Sequence, residues 1–251
     1  MGWLKKQTIS EFLASYILGF LGLGLVVPYA VGGYINSLFE YGILFGMIIA
    51  FVIILFNPVS GAQFNPAVTF AMVFSKRQDK KTLIPFIIVQ VLGWGLGAAT
   101  NYLVFINEMQ QYYLAGNNPV NLFFCNTGDV WSGLILEIVG TGVLLCVILG
   151  LIDKRCFNKP SNQLFPFAIA FLIWFLVSWA GGFTGTAINV GRDLGPRIFA
   201  FIYGKIMGYD TSACFSTGTW LVYVIGPLVG GILGVLLFDK VISPLLTEVD
   251  Q

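Results

Sequence analysis

Six apolar runs dominate the chain, near residues 9–32, 41–57, 83–106, 130–152, 164–182 and 219–242. Each is long enough, or nearly so, to cross a bilayer, which takes roughly 20 apolar residues of helix. Lipid offers the backbone no hydrogen-bond partner, so an isolated span of this kind must satisfy its own N–H and C=O groups as a helix. Composition agrees, with only 10% of residues charged where a soluble chain carries about 25%. The predicted fold class is an all-α membrane protein, with 1–251 as one transmembrane domain. The opening MGWLKKQTISEF leads into the first run without a small-residue cleavage site. It therefore reads as a retained helix rather than a cleaved signal.

Two shorter apolar pieces remain, near 65–75 and 189–203, and each begins with an asparagine, a favoured helix N-cap. The first follows GAQFNPAVTF (Gly61 to Phe70) and the second GTAINVGRDLGPRIF (Gly185 to Phe199). Neither is long enough to cross. Non-helical backbone at membrane depth survives only inside protein or along a water-filled cavity. The expected architecture is therefore six transmembrane helices plus two re-entrant half-helices.

Charge sets the expected orientation. Ten of the 13 Lys and Arg residues, among them Lys5, Lys6, Lys76, Arg77, Lys80, Lys81, Lys154, Arg155, Lys159 and Lys240, fall on one side of this topology. The positive-inside rule makes that side cytoplasmic, with both termini there. The segment 107–129 carries Glu108 and Asp129 but no Lys or Arg, as an outer loop should. The cluster Ser75–Lys81 reads first as a topology signal and second as a contact for anionic membrane lipid.

The two halves repeat. Glu11 precedes Asn65 by 54 residues and Glu137 precedes Asn189 by 52. With three spans per half, the second copy, about 126–251, is inverted relative to the first, about 1–125. Inverted repeats with broken helices are a transport architecture whose pathway lies at the repeat interface. Intramembrane acids are seldom idle, so Glu11 and Glu137 are expected to accept hydrogen bonds from the re-entrant loops. The alternative for each is a carboxylate snorkelling to the interface.

Set end to end, the two half-helices bring their N-termini together near the membrane centre. Each contributes about +0.5 of a charge there, which repels cations and protons. Asn65 and Asn189 can cap their own helices with oxygen and still present N–H to a passing molecule. An oxygen held by two such donors is poorly placed to relay a proton.

SGAQFNPAVTF and GTAINVGRDLGPRIF resemble the two signature loops of the aquaporin and glycerol-facilitator family, the major intrinsic proteins. The resemblance covers the six spans, both half-helices, the paired acids and Gln90. It implies a passive channel for glycerol or similar small neutral solutes together with water, assembled as a homotetramer in the plasma membrane. The first motif, Asn65, Pro66, Ala67, is the usual one. The second, Asn189, Val190, Gly191, stands where Asn-Pro-Ala is usual and loses the proline that suits a first helical turn. By the same resemblance Arg192 is the constriction arginine, and counting from the asparagines adds Phe45, Val177 and Thr186 to the filter. The implied pore-lining carbonyls belong to Gly61, Ala62 and Gln63, and to Gly185, Thr186 and Ala187. Water-selective members usually carry histidine at the Val177 position. Asp193, Arg197 and the 30 residues between Pro196 and Pro227 match the glycerol-conducting pattern, whereas Tyr223 looks water-type.

Other classes are poorly served. The chain has no histidine, and no nucleophile–base pair or phosphate loop is visible, so no enzyme, metal or cofactor is expected. A secondary transporter would need a coupled titratable relay; Glu11, Glu137, Asp193 and Arg192 are the candidates, and their spacing pairs none of them in one. A junctional membrane protein with a weak pore is the remaining alternative, beside a water-selective channel. Cys125 and Cys214 fall on the same outer side, where a disulfide between them is conceivable. Glycines spaced four apart at Gly93–Gly97 and Gly226–Gly234 permit close helix contact, within one chain or between copies.

Overall fold

A computed structural model describes residues 2–156, 164–215 and 218–246; Lys159 lies outside them. Every regular element in these residues is helical. In chain order the α-helices are α1 (Trp3–Ile17), α2 (Val26–Ala30), α3 (Leu38–Ser60), α4 (Pro66–Phe74), α5 (Leu83–Val104), α6 (Ile106–Leu114), α7 (Val130–Ile152), α8 (Phe165–Thr184), α9 (Val190–Met207), α10 (Ser212–Phe215) and α11 (Val222–Leu237). Six stretches are long and apolar enough to cross a membrane: Trp3–Ala30, Leu38–Ser60, Lys80–Val104, Val130–Ile152, Phe165–Thr184 and Thr219–Leu245. The outward faces of these spans carry exposed Phe51, Leu55, Ile84, Leu103, Phe171 and Phe175. An apolar surface of that extent requires lipid or another apolar partner, as in an integral multi-pass membrane protein.

Three boundaries depart from the sequence reading. The second short helix runs to Met207, 18 residues against nine in α4. Gly208, in the left-handed region at φ 73°, ends it, a C-terminal signal that the sequence carries. The outer loop contains a helix of its own, α6, which periodicity did not announce. The first span is interrupted by a π-helical turn, Leu18–Gly22. Asn101 of α5 donates to the carbonyls of Gly19 and Phe20 at that turn (3.1 and 2.9 Å), and the Tyr41 hydroxyl donates to that of Gly22 (3.3 Å).

The largest helix contacts are α7 with α11, α3 with α8, α5 with α9 and α1 with α5. The glycine rows work inside the chain. A methyl group at Gly93 would lie 2.6 Å from the Phe12 carbonyl oxygen, and one at Gly226 would lie 2.7 Å from Glu137 Cβ. α1 and α7 therefore lie directly against these rows. At the basic end, Arg77 makes a bidentate pair with Asp239 (3.0 and 2.7 Å). Arg155 bonds Asp153 and Ser243, and holds the Asp153 carboxyl below its usual range. Cys125 and Cys214 are both buried free thiols, so the conceivable disulfide is absent. Arg197 lies between their backbones instead, donating to both carbonyl oxygens.

Candidate functional site

The site is built from two loops of the same design. α3 ends at Gly61 (φ 87°) and α8 at Gly185 (φ 71°), each in the left-handed conformation that glycine adopts without penalty. One residue earlier, the Ser60 hydroxyl accepts from Ala62 N–H (3.2 Å) and the Thr184 hydroxyl from Thr186 N–H (3.0 Å). Beyond the glycines, positive φ recurs at alternate residues: Ala62 (47°) and Phe64 (37°), then Thr186 (45°) and Ile188 (41°). Side chains with a Cβ rarely sit there, β-branched ones least of all. Such strain persists only where surrounding contacts over-determine it.

The buried acids are those contacts. Glu11 accepts Gln63 N–H on Oε1 (3.0 Å) and Phe64 N–H on Oε2 (2.6 Å). Glu137 accepts Ala187 N–H (3.0 Å) and Ile188 N–H (2.6 Å) in the same way. Both acids are fully buried, so neither snorkels. Gln90 braces the first loop further, donating to Glu11 Oε2 (2.8 Å) and Thr69 Oγ1 (2.9 Å). Thr69 in turn donates to Gln63 Oε1 (2.7 Å).

Asn65 and Asn189 sit at the N-caps of α4 and α9, both in extended backbone. Asn65 Oδ1 accepts Ala67 N–H, and Asn189 Oδ1 accepts the N–H groups of Gly191 and Arg192. The amides also cross between loops. Asn65 Nδ2 donates to the Ile188 carbonyl (2.8 Å) and Asn189 Nδ2 to the Phe64 carbonyl (3.0 Å). Each loop is thus closed by its partner's asparagine.

One cavity of about 210 Å³ runs past this junction. It is lined by Gln78, Ile152 and Phe165 toward the basic end, and by Phe45, Val177 and Arg192 at the other. Asn65, Asn189, Gly61, Ala62, Gln63, Thr186 and Ala187 line it between. A methyl group added at Gly185 would lie 2.8 Å from Cys125 Sγ. Pro66, Ala67, Val190 and Gly191 are buried behind the asparagines. The four filter positions come from α3, α8, the second loop and α9. The Thr186 hydroxyl turns back to the Leu176 carbonyl (3.3 Å), and Arg192 reaches the Phe123 carbonyl at a long 3.4 Å.

A family model described as Major intrinsic protein matches residues 3–238. The chain belongs to the major intrinsic protein family. It is 32% identical over 256 residues to the Glycerol uptake facilitator protein of Escherichia coli (strain K12), covering 96% of this chain and 89% of that protein. It is also 32% identical to Aquaporin-9 of Homo sapiens, over 96% of this chain and 83% of that one. Its fold matches the X-ray structure of the aquaglyceroporin from Plasmodium falciparum with a TM-score of 0.86 at 26% identity, covering 96% and 98% of the two chains. This major intrinsic protein is a membrane channel and not an enzyme.

Two parts of the site escaped the sequence reading of this channel. The first is the packing around Arg197, completely buried with Asp193 one turn before it (2.9 Å). Its guanidinium also donates to the carbonyls of Ala213, Cys214 and Cys125, and lies over the Phe124 ring (4.2 Å). Asp193 accepts Cys125 N–H (2.7 Å). A buried ion pair holds only when its remaining hydrogen-bonding capacity is met, and here it ties the outer connections to α9 beside Arg192. In the sequence Asp193 and Arg197 carry one signal for this pairing, their spacing of four on a helix. The second is Trp94, whose indole donates to the Phe64 carbonyl (2.8 Å) and which lines the cavity. Nothing local distinguishes it from an apolar helix residue.

Proposed function

We propose that this chain is a passive channel for glycerol or a closely similar small neutral solute, together with water, that excludes ions and protons. The observation that carries this is the composition of the constriction. Phe45 and Val177 present carbon on one side, while Arg192 and the asparagine pair supply donors within the same cavity. A polyol has that same division, carbon on one edge and hydroxyls on the other. Similarity to a glycerol uptake facilitator and to an aquaglyceroporin supports the same solute class.

The exclusion of charge follows from the caps. The oxygen of each asparagine is taken by its own helix and one N–H by the opposite loop. The second N–H of each is available to a molecule in the cavity. A permeant oxygen that accepts both is oriented by them, and the helix N-termini behind add about +0.5 of a charge each. Arg192 adds a full positive charge at the constriction, beside Phe45 and Val177. Cations meet these charges without compensation. Gly61, Ala62 and Gln63 on one side, and Gly185, Thr186 and Ala187 on the other, offer carbonyls along the path.

In this reading the subunits form a homotetramer in the plasma membrane, with one pore each and lipid around the outer faces. Both termini are cytoplasmic, because the basic residues gather at one end. Cys156 is exposed at that end, beside Lys154 and Arg155. A membrane-impermeant thiol reagent is therefore expected to label Cys156 in opened cells and to spare it in intact ones. Equal labelling in intact cells would reverse the orientation.

Proteoliposomes given an inward glycerol gradient in a stopped-flow light-scattering instrument are expected to shrink and re-swell far faster than protein-free vesicles. Fast water flux without glycerol re-swelling would make the channel water-selective. Ionic current without neutral flux would overturn the reading altogether.

A further inference from the structure

The two halves place unequal residues at one equivalent position beside the asparagine pair. Gly93 and Gly97 of α5 lie against Phe12 and Tyr16 of α1, while Gly230 and Gly234 of α11 lie against Ile138 and Gly142 of α7. Glu11 and Glu137 fix the registers of α1 and α7, so GWGLG (93–97) corresponds to GGILG (230–234) and Trp94 to Gly231. Across from these positions stand the third residues of the two motifs. Gly231 faces Ala67, where an added methyl would lie 3.2 Å from the Ala67 carbonyl oxygen. Trp94 faces Gly191, where a methyl would lie 2.9 Å from Trp94 Cδ1. One half pairs alanine with glycine; the other pairs glycine with tryptophan.

Trp94 cannot easily withdraw. Cδ1 is bonded to Nε1, which donates to the Phe64 carbonyl at 2.8 Å, so displacing one atom lengthens the other contact. The ring is 1% exposed, and Trp94 Cα lies beneath Gly19 of α1, where an added methyl would come within 2.9 Å of it. The bond has a second consequence. The Phe64 carbonyl accepts both Trp94 Nε1 and Asn189 Nδ2, whereas the Ile188 carbonyl accepts Asn65 Nδ2 and, among the described residues, no indole. An oxygen with two lone pairs so engaged has nothing left for a permeant. The indole is also among the side chains that line the cavity beside Phe64, Asn65 and Asn189.

We propose that Trp94 is a solute-selecting wall of the central constriction, seated by the absence of a side chain at Gly191, so that the Asn-Val-Gly sequence is the complement of Trp94. At this level a polyol passes with its carbons on the indole and its hydroxyls on the two asparagine amides. The proposal rests on the glycerol-channel reading for its solute, but the matching of Trp94 to Gly191 does not.

The test is a mutant cycle of wild type, Gly191→Ala, Trp94→Ala and the double variant. Each is reconstituted for glycerol and water permeability and melted in detergent. Gly191→Ala alone is expected to lower the melting midpoint and to cut glycerol permeability about tenfold, since small misfits in an apolar pocket discriminate by that order. In the Trp94→Ala background the same substitution should change glycerol permeability by less than about twofold and shift the midpoint by less than in wild type, because contacting residues couple. Trp94→Ala should also lower the glycerol-to-water permeability ratio, which loss of packing alone would not move, and Trp94→Phe should recover part of it. If Gly191→Ala fails to fold, a folded double variant upholds the pairing and an unfolded one overturns it. An equal effect of Gly191→Ala in both backgrounds, or an unchanged ratio in Trp94→Ala, would overturn the proposal. Wild type that passes water but no glycerol would refute the solute reading instead, while the coupling in water flux and melting still decides the pairing.

Discussion

Glu137→Ala is expected to abolish the channel, and to do so more completely than Glu11→Ala. The Glu137 carboxyl accepts the N–H groups of Ala187 and Ile188, and both would be left buried without a partner. Each orphaned group costs about 1–3 kcal/mol, for a total of about 2–6 kcal/mol. The loop also holds Thr186 and Ile188 at positive φ, strain of about 1–3 kcal/mol apiece that the same bonds restrain. Against a net stability on the order of 5–15 kcal/mol, that sum is enough to release the loop. The first loop has more support, because Gln90, Thr69 and Gln63 link Glu11 to α4 and α5. Among the described residues no glutamine stands beside Glu137 in that way. Glu137→Gln should be intermediate, since an amide presents one acceptor oxygen to two N–H groups and turns a donor toward the other. Thermal unfolding in detergent, followed by glycerol flux of the reconstituted survivors, checks the order wild type, Gln, Ala. A Glu137→Ala protein that melts and conducts like wild type would show that the carboxyl does not hold the loop.

What the sequence disclosed, it disclosed through repetition. SGAQFN (Ser60–Asn65) and TGTAIN (Thr184–Asn189) stand 124 residues apart, and a polar loop of one design used twice is difficult to mistake for chance. The acids, caps and helix-ending glycines all belong to that local grammar. Phe45 is reached differently, only through the family resemblance and by counting back from Asn65. What remained hidden depends on contacts between segments distant in sequence. Trp94 reads as one more apolar residue of α5 until α9 is set against it. The sequence carries α9 through Pro196, which removes one helical hydrogen bond but is accommodated within the helix, and the expected end at 203 falls four residues short of Met207. The cluster around Arg197 gathers residues 124–125 and 213–214, and no spacing rule brings those connections together. The cysteines were misleading for the same reason: sharing a side of the membrane says nothing of whether Sγ atoms meet. In this structure Arg197 occupies the space between their carbonyls.

Val177→His is the second large effect, and its direction distinguishes a polyol filter from a water filter. Val177 is 6% exposed and lines the cavity with Phe45, Thr186 and Arg192. It has no room behind it. A methyl added at Gly42 of α3 would come within 3.3 Å of Val177 Cβ and 3.1 Å of Trp174 Cδ1. A larger side chain at 177 must therefore grow into the cavity rather than away from it. Histidine adds several heavy atoms and a polar ring opposite Arg192, where valine supplies carbon. A polyol loses its apolar wall and its clearance together, whereas a water molecule loses only width and gains a hydrogen-bonding partner. Apolar pockets discriminate by about 10–200-fold for changes near one methylene, so glycerol permeability should fall at least about tenfold and water permeability by much less. Val177→Ala should preserve glycerol flux, since it widens the same wall without a polar group. Paired measurements of glycerol re-swelling and osmotic water flux on the same vesicles provide the ratio. Parallel decline of both fluxes in Val177→His would mean a folding defect or a blocked pore, and glycerol flux untouched by it would place the solute filter away from Val177.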